Sequence, residues 1–295
     1  MNTKKIVGKS FTAAVLALVM MFALAVGCLA APAANVSTSS DGKVKIDYSK
    51  AASGVVTVTT DISGNPKLCV IVTAPSGLQY KYFNTSSAGK AEDFVLSEGD
   101  GTYKVAVYKN VSGNSYTTLH ATSFDVKLSS TTTPFTRSNF YVEYDADTKC
   151  VAAVPTICKN AKTDLDKVQA IYYYVIGNFS YDYDKAATVE SGYRPKLDTV
   201  WNDKKGICFD YAAVMAAMLR SQGIPTKMAV GYAGTAYHAW ISVYTAETGW
   251  IEAIIHFDGT DWTLMDPTFA STGKENKEVL DFISNPANYT AKYVY

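Results

Sequence analysis

The stretch Lys205-Gly206-Ile207-Cys208-Phe209-Asp210-Tyr211, with residues 212–219 behind it, constrains this chain more than any other. Residues 212–219 read Ala, Ala, Val, Met, Ala, Ala, Met and Leu, all good helix formers except Val. Cys208 therefore stands where a loop ends and a helix begins. The first turn of a helix carries unpaired N–H groups and the positive end of the helix dipole, and both favour a thiolate over a thiol. Gly206 has no side chain, so backbone or substrate can come close there. Free cysteine is also among the most buried residue types, so on this stretch alone a small packed hydrophobe is the competing reading. The choice turns on whether a base stands elsewhere in the chain.

The 295 residues suffice for one large domain or two ordinary ones, and 48% hydrophobic with 18% charged residues is a globular composition. Formal net charge is zero, the only arginines are Arg137, Arg194 and Arg220, and no basic stripe occurs, which argues against nucleic-acid binding. Residues 1–34 read as a secretory signal peptide: Lys4, Lys5 and Lys9 precede an apolar region from Phe11 to Val26, and small residues follow. The apolar run is short for a membrane span. Ala31-Pro32-Ala33 offers a small-x-small cleavage site, and Ala25-Val26-Gly27-Cys28 resembles a bacterial lipobox with Ala in place of Leu. Free secretion and lipid anchoring through Cys28 both stay open. The expected location is extracellular or the outer face of the cell membrane.

Export makes the remaining cysteines, Cys69, Cys150, Cys158 and Cys208, informative. An even number in an oxidising compartment suggests disulfides. Cys69 lies in a strand-like run, however, and on a helix Cys150 and Cys158 would stand ~12 Å apart, beyond disulfide reach. A loop opened by Pro155 would bring them closer, which leaves that bond open. Cys208 then remains a free thiol in an exported protein.

From Val44 to Leu128 the residues alternate with a period near two in about seven short runs: 44–48, 55–59, 68–73, 78–83, 94–96, 103–108 and 124–128. Turn signals such as Ser63-Gly64-Asn65-Pro66 and Pro75-Ser76-Gly77 separate them. This predicts an immunoglobulin-like β-sandwich over residues 35–130, read as a spacer or attachment module. His120 is expected there as a satisfied or surface histidine. Ser129 to Pro134 is a hydroxyl-rich stretch with a proline stop, and residues 131–137 are assigned as a linker.

Beyond it the period changes. Thr163-Asp164-Leu165-Asp166 resembles a capping box, and Leu165, Val168, Ile171, Tyr172 and Val175 recur at helical spacing up to Gly177-Asn178. Phe179 to Asp184 is expected to be solvated turn, and 193–205 a polar loop. The helix begun at Cys208 should end near Ser221, before Gly223 and Pro225. Strand-like runs follow at 227–232, 237–244, 250–257 and 262–265, with a turn at Asp258-Gly259 and a short helix near 277–283.

His238 lies in the second of these runs, 30 residues after the cysteine, and Asp266 ends the last. A cysteine nucleophile needs a base to take its proton, and the base needs a third group to hold its tautomer. Cys208, His238 and Asp266 fit these roles in turn. His256 is the rival base, and Asp210 the rival orienting acid, although two residues beyond the cysteine it is better placed to support the helix N-terminus.

Lys-Gly-Ile-Cys-Phe-Asp-Tyr at 205–211, Tyr-His-Ala-Trp at 237–240 and Met-Asp-Pro-Thr-Phe at 265–269 resemble the three motifs of the transglutaminase-like superfamily, a branch of the papain-like cysteine enzymes. The resemblance implies an α+β fold: a catalytic domain over residues 138–295, its cysteine-bearing helix packed on an antiparallel sheet, preceded by the β-sandwich. It implies Cys208 as nucleophile, His238 as general base and acid, and Asp266 as orienting carboxylate. The Cys208 backbone N–H is one expected oxyanion donor, with Tyr181 and Trp201 as candidates for the second. The animal enzymes of the superfamily depend on calcium, but this chain has no matching acidic loop, so no metal or other cofactor is expected. The expected activity is acyl transfer or hydrolysis at amide bonds of protein or peptide substrates, cell-wall peptides among them. The alternative is an extracellular binding or scaffolding protein that keeps the fold without turnover.

Overall fold

The structure, a computed structural model, describes residues 35–251, 255–257, 262–264 and 285–295. The signal region with Cys28, the Asp258-Gly259 turn, Asp266 and the helix expected near 277–283 lie outside the described residues. Residues Asn35–Tyr295 form one compact unit.

Its N-terminal part is all strand: β1 (Val36–Thr38), β2 (Val44–Asp47), β3 (Val55–Asp61), β4 (Leu68–Thr73), β5 (Gln79–Phe83), β6 (Ala88–Val95), β7 (Gly101–Ser112) and β8 (Ser115–Val126). Two antiparallel four-stranded sheets result, in the orders β1-β2-β3-β6 and β5-β4-β7-β8. The period-two pattern decides which side chains turn inward. Ile46, Val56, Val58 and Phe94 of one sheet share an apolar core with Val70, Val72, Tyr80, Tyr82, Val105 and Val107 of the other. Burying each such side chain stabilises by roughly 1.5–3 kcal/mol. All seven expected strands are present. The eighth, β1, has three residues, too few for an alternation to register. His120 is satisfied by Ser37 Oγ at 2.8 Å.

The second part runs α1 (Lys149–Ala152), α2 (Val154–Ile157), α3 (Asp164–Asn178), β9 (Ser180–Tyr181), α4 (Tyr183–Thr188), α5 (Leu197–Asp203), β10 (Lys205–Gly206), α6 (Cys208–Arg220), β11 (Thr226–Ala233), β12 (Ala236–Thr245), β13 (Gly249–Ile251), β14 (Ile255–Phe257), β15 (Trp262–Leu264) and β16 (Tyr289–Val294). Helix α3 starts on the expected reciprocal cap: Thr163 Oγ1 accepts from Asp166 N at 3.1 Å, and Asp166 Oδ2 accepts from Thr163 N at 2.9 Å. Its five periodic apolar residues are all buried. Residues 212–219 of α6 are buried on every side, enclosed by α1, α3, α5 and the antiparallel sheet β13-β12-β11-β16. A helix with no polar face suits a site enclosed by protein.

Two expectations are corrected. Residues 179–184 are not plain turn, because Ser180 and Tyr181 form β9, and Asp182 Oδ1 accepts from Lys185 N at 3.1 Å to cap α4. Residues 193–205 are not one polar loop. Leu197 and Val200 turn inward and make α5, a helix too short for periodicity to reveal. In the 250–257 run, β13 pairs with β12 and β14 pairs with β15, and residues 252–254 lie outside the described residues. The 131–137 stretch is packed, with Pro134 and Phe135 buried in a 3-10 turn.

Arg220, buried at the end of α6, ties distant segments together. It donates to Thr226 O at 2.9 and 2.7 Å, to Arg137 O at 2.9 Å and to Tyr295 O at 2.7 Å. Burial pulls its guanidinium pKa down to about 10, still well above neutrality.

Candidate active site

Cys208 is the first residue of α6 and is half-buried. Its approach is fixed by β10, which pairs in parallel with β9 so that Gly206 lies opposite Tyr181. Asp182 N donates to Gly206 O at 2.9 Å and continues the ladder. A Cβ on Gly206 would stand 2.7 Å from Asp210 Cβ and 3.1 Å from Asp210 Oδ2, so the glycine is demanded by the closeness of that carboxylate.

Asp210 holds the helix start. Its Oδ2 accepts from Ile207 N at 2.9 Å. Ile207 has no side-chain oxygen to return, so only this half of a reciprocal cap exists. Asp210 is fully buried, and it also accepts from Lys185 Nζ at 2.6 Å and from Tyr193 Oη at 2.5 Å. Burial and the bond to Asp210 raise the Tyr193 phenol well above its ordinary range, so it serves as a neutral donor. Lys185 Nζ in turn donates to Tyr193 Oη at 2.5 Å, which closes a three-residue hub.

His238 lies on β12 opposite Gly231 of β11 and is buried. A Cβ on Gly231 would approach Thr290 O to 2.0 Å, at the point where the pairing of β11 with β16 shifts register. Glycine there lets β16 run close beside β11, the strand paired with the histidine strand, and β16 and the residue after it carry Tyr293 and Tyr295.

Cys208 and His238 open onto one cleft of about 530 Å³, together with Tyr181, Tyr193, Phe209 and Tyr237. Tyr141, Tyr293 and Tyr295 also line it. Burial, and after it the neighbouring Cys208, push the Tyr181 phenol up to about 12, and burial raises that of Tyr237. Both hydroxyls are therefore neutral donors near pH 7. Burial raises Cys69 to about 11 and Cys150 to about 12, and Cys158 in the same direction. All four are free.

Of the residues expected from sequence, Cys208, His238 and Tyr181 thus meet at one cleft. Trp201 does not line it; its ring stacks on Tyr174 at 5.3 Å and lies 3.2 Å from Lys204 Nζ. Asp210 supports the helix N-terminus from beneath and does not line the cleft. Asp266 is outside the described residues. His256 stands on β14 opposite Thr263. Tyr193 and Tyr237 were not foreseen, although Tyr237 adjoins the histidine within its motif, and that adjacency was the available signal.

A cysteine heading a buried helix, and a histidine on the antiparallel sheet packed against that helix that opens onto the same cleft, match the core of a transglutaminase-like domain. Residues 152–254 match the family model of the transglutaminase-like superfamily, and the chain carries a domain of that superfamily. Among individual relatives, 106 residues are 28% identical to the uncharacterized protein YebA of Bacillus subtilis, covering 29% of this chain and 14% of that protein. A further 89-residue match is 35% identical to the UPF0252 protein MJ1282 of Methanocaldococcus jannaschii, covering 26% of this chain and 25% of that one. The chain thus spans a quarter or less of the curated relatives it matches. Among solved structures, a provisionally assigned cysteine protease from Cytophaga hutchinsonii aligns with TM-score 0.36 and 16% identity, over 72% of this chain and 71% of that one.

Proposed function

We propose that the protein is a thiol enzyme that performs acyl transfer or hydrolysis at amide bonds of protein or peptide substrates. The observation that carries this reading is that Cys208 and His238 open onto one cleft. In the reaction, His238 takes the proton of the Cys208 thiol, and Sγ attacks the carbonyl carbon of a glutamine side chain or a peptide bond. The oxyanion is met by the Cys208 backbone N–H and the Tyr181 hydroxyl. The C–N bond then breaks, the leaving nitrogen takes the proton from His238, and a thioester remains on Cys208. Water or a second amine attacks the thioester, gives its proton to His238 and frees the acid or the new amide, returning the thiol. Asp266, on the strength of its motif, is the group that holds the imidazole tautomer. We read the two N-terminal sheets as an immunoglobulin-like sandwich and residues 1–34 as an export signal, so the enzyme acts outside the cytoplasm, free or anchored through Cys28.

Incubation of the protein with a glutamine-containing peptide, with and without a primary amine, tests this reading by mass. Deamidated, amine-linked and cleaved products differ, and each should vanish in Cys208→Ala. Unchanged peptide under every condition, with Cys208 free and titratable, would overturn it.

A further inference from the structure

The cleft has a wall that the family match does not cover. Lys81 and Phe83 of β5, in the N-terminal sheets, line the same space as Cys208 and His238. The sequence suggested a spacer there, but the contacts make these sheets part of the site. Gly192, at φ +87°, lies against β5, where an added Cβ would come within 2.9 Å of Phe83 Cβ and 3.0 Å of Asn84 Nδ2. Asn84 Nδ2 donates to Gly192 O at 3.4 Å. Next to it, Arg194 donates to Glu92 Oε1 at 2.6 Å and to Glu143 Oε2 at 2.7 Å, with its guanidinium 4.1 Å from the centre of the Phe140 ring. The cleft-lining segment 186–193 is thus tied to the sheets at one end. At the other, Lys185 ties it to Asp210 beneath the cysteine. The sheets, this segment and the cysteine helix hold one another in register.

Lys81 is the sole lysine or arginine lining the cleft among the described residues, and it makes no ion pair there. It stands on a paired strand, with Ile71 opposite, so its origin is well fixed. Glu190, also in the lining, sits on the connecting segment after α4, where its backbone O accepts from Tyr193 N at 3.2 Å. We propose that the N-terminal sheets form a substrate-recognition wall and that Lys81 selects acyl donors carrying a carboxylate close to the target amide, such as acidic peptides. This specificity rests on the thiol-enzyme reading. The wall itself does not, and the test separates them.

In the full chain, Cys208 is alkylated with anionic iodoacetate and with neutral iodoacetamide, and the ratio of the two rates is followed by mass spectrometry. At low salt the ratio should fall about 2-fold in Lys81→Gln and about 5-fold in Lys81→Glu, and the variants should converge near 0.5 M salt. Glutamine peptides flanked by Glu or by Lys are compared in parallel through kcat/KM, where the wild type should favour the acidic peptide and Lys81→Glu should reverse the order. An alkylation ratio insensitive to Lys81, or a wild-type preference for the basic peptide, overturns this proposal. A responsive ratio with no peptide turnover supports the charged wall and counts against the enzyme reading alone.

Discussion

Replacing Lys185 by Met should unsettle the cysteine helix more than any other single change outside the cleft. Asp210 is a fully buried carboxylate with three donors: Ile207 N, Lys185 Nζ and Tyr193 Oη, at 2.9, 2.6 and 2.5 Å. Only Lys185 carries a compensating charge. Its removal leaves a buried anion with two neutral donors, and breaking a buried pair in this way costs about 3–5 kcal/mol. The lysine side chain is 26% exposed, so water can enter in part and the lower end, about 3 kcal/mol, applies. For a chain of this size that loss corresponds to a Tm drop of about 6–12 °C. Tyr193→Phe removes one hydrogen bond to a charged group and should cost about 2 kcal/mol. In an Asp210→Asn background the Lys185→Met cost should shrink to under about 1 kcal/mol, because the buried charge is then gone. Calorimetric unfolding of the four proteins of this cycle measures the coupling. A Lys185→Met cost below about 1 kcal/mol, or an equal cost in both backgrounds, would show that the pair behaves as an exposed one and refute the hub.

Iodoacetamide at pH 7.5 should label Cys208 first and Cys158 more slowly. Cys69 and Cys150, whose thiols burial raises to about 11 and about 12, should stay unlabelled until the protein unfolds; peptide mapping reads the order. Their raised values keep both protonated through pH 9, so raising the pH from 7 to 9 should not expose them to the reagent. Tyr181→Phe should lower kcat by about 10²-fold with little change in Tm if its hydroxyl meets the oxyanion. With that phenol pushed up to about 12, the wild-type rate should show no inflection from Tyr181 below pH 10. Gly231→Ala should force β16 away from β11, since the new Cβ would stand 2.0 Å from Thr290 O, at a cost of about 1–3 kcal/mol. Hydrogen exchange would report the lost protection at the amides of β16.

Where a residue's role was set by its near neighbours, the chain could be read directly. The β4 run, the Thr163 cap and the buried stripe of α3 each depend on residues a few places apart, so local pattern sufficed. The same holds for Cys208 at a helix start. Asp210 was legible only in part. Its backbone bond to Ile207 follows from being two residues past the cysteine. Its side-chain partners are 25 and 17 residues upstream, in a stretch with no apolar period. Helix α5 was hidden for a related reason: seven residues with two buried positions do not establish a repeat.

The role proposed for the sheets is the part least legible in the sequence. They hold no cluster of histidines, cysteines or acids, so as a separate module they carry no chemistry and a spacer is the economical reading. A recognition surface, however, needs only position. Lys81 and Phe83 occupy ordinary outward places on an alternating strand, and their meaning comes from what stands across the gap. Tyr82, one residue between them, turns inward and packs on Phe140, Tyr141 and Tyr295, with ring centroids 5.4, 5.4 and 5.8 Å away. Tyr141 and Tyr295 also line the cleft, and Tyr141 meets Phe209 of the cysteine helix at 5.2 Å. The same strand therefore anchors the aromatic base of the site with one face and lines its wall with the other. A change at Tyr82 should consequently reach Cys208 through packing, whereas a change at Lys81 should reach the substrate through charge. That separation gives the two faces of β5 distinct experimental signatures.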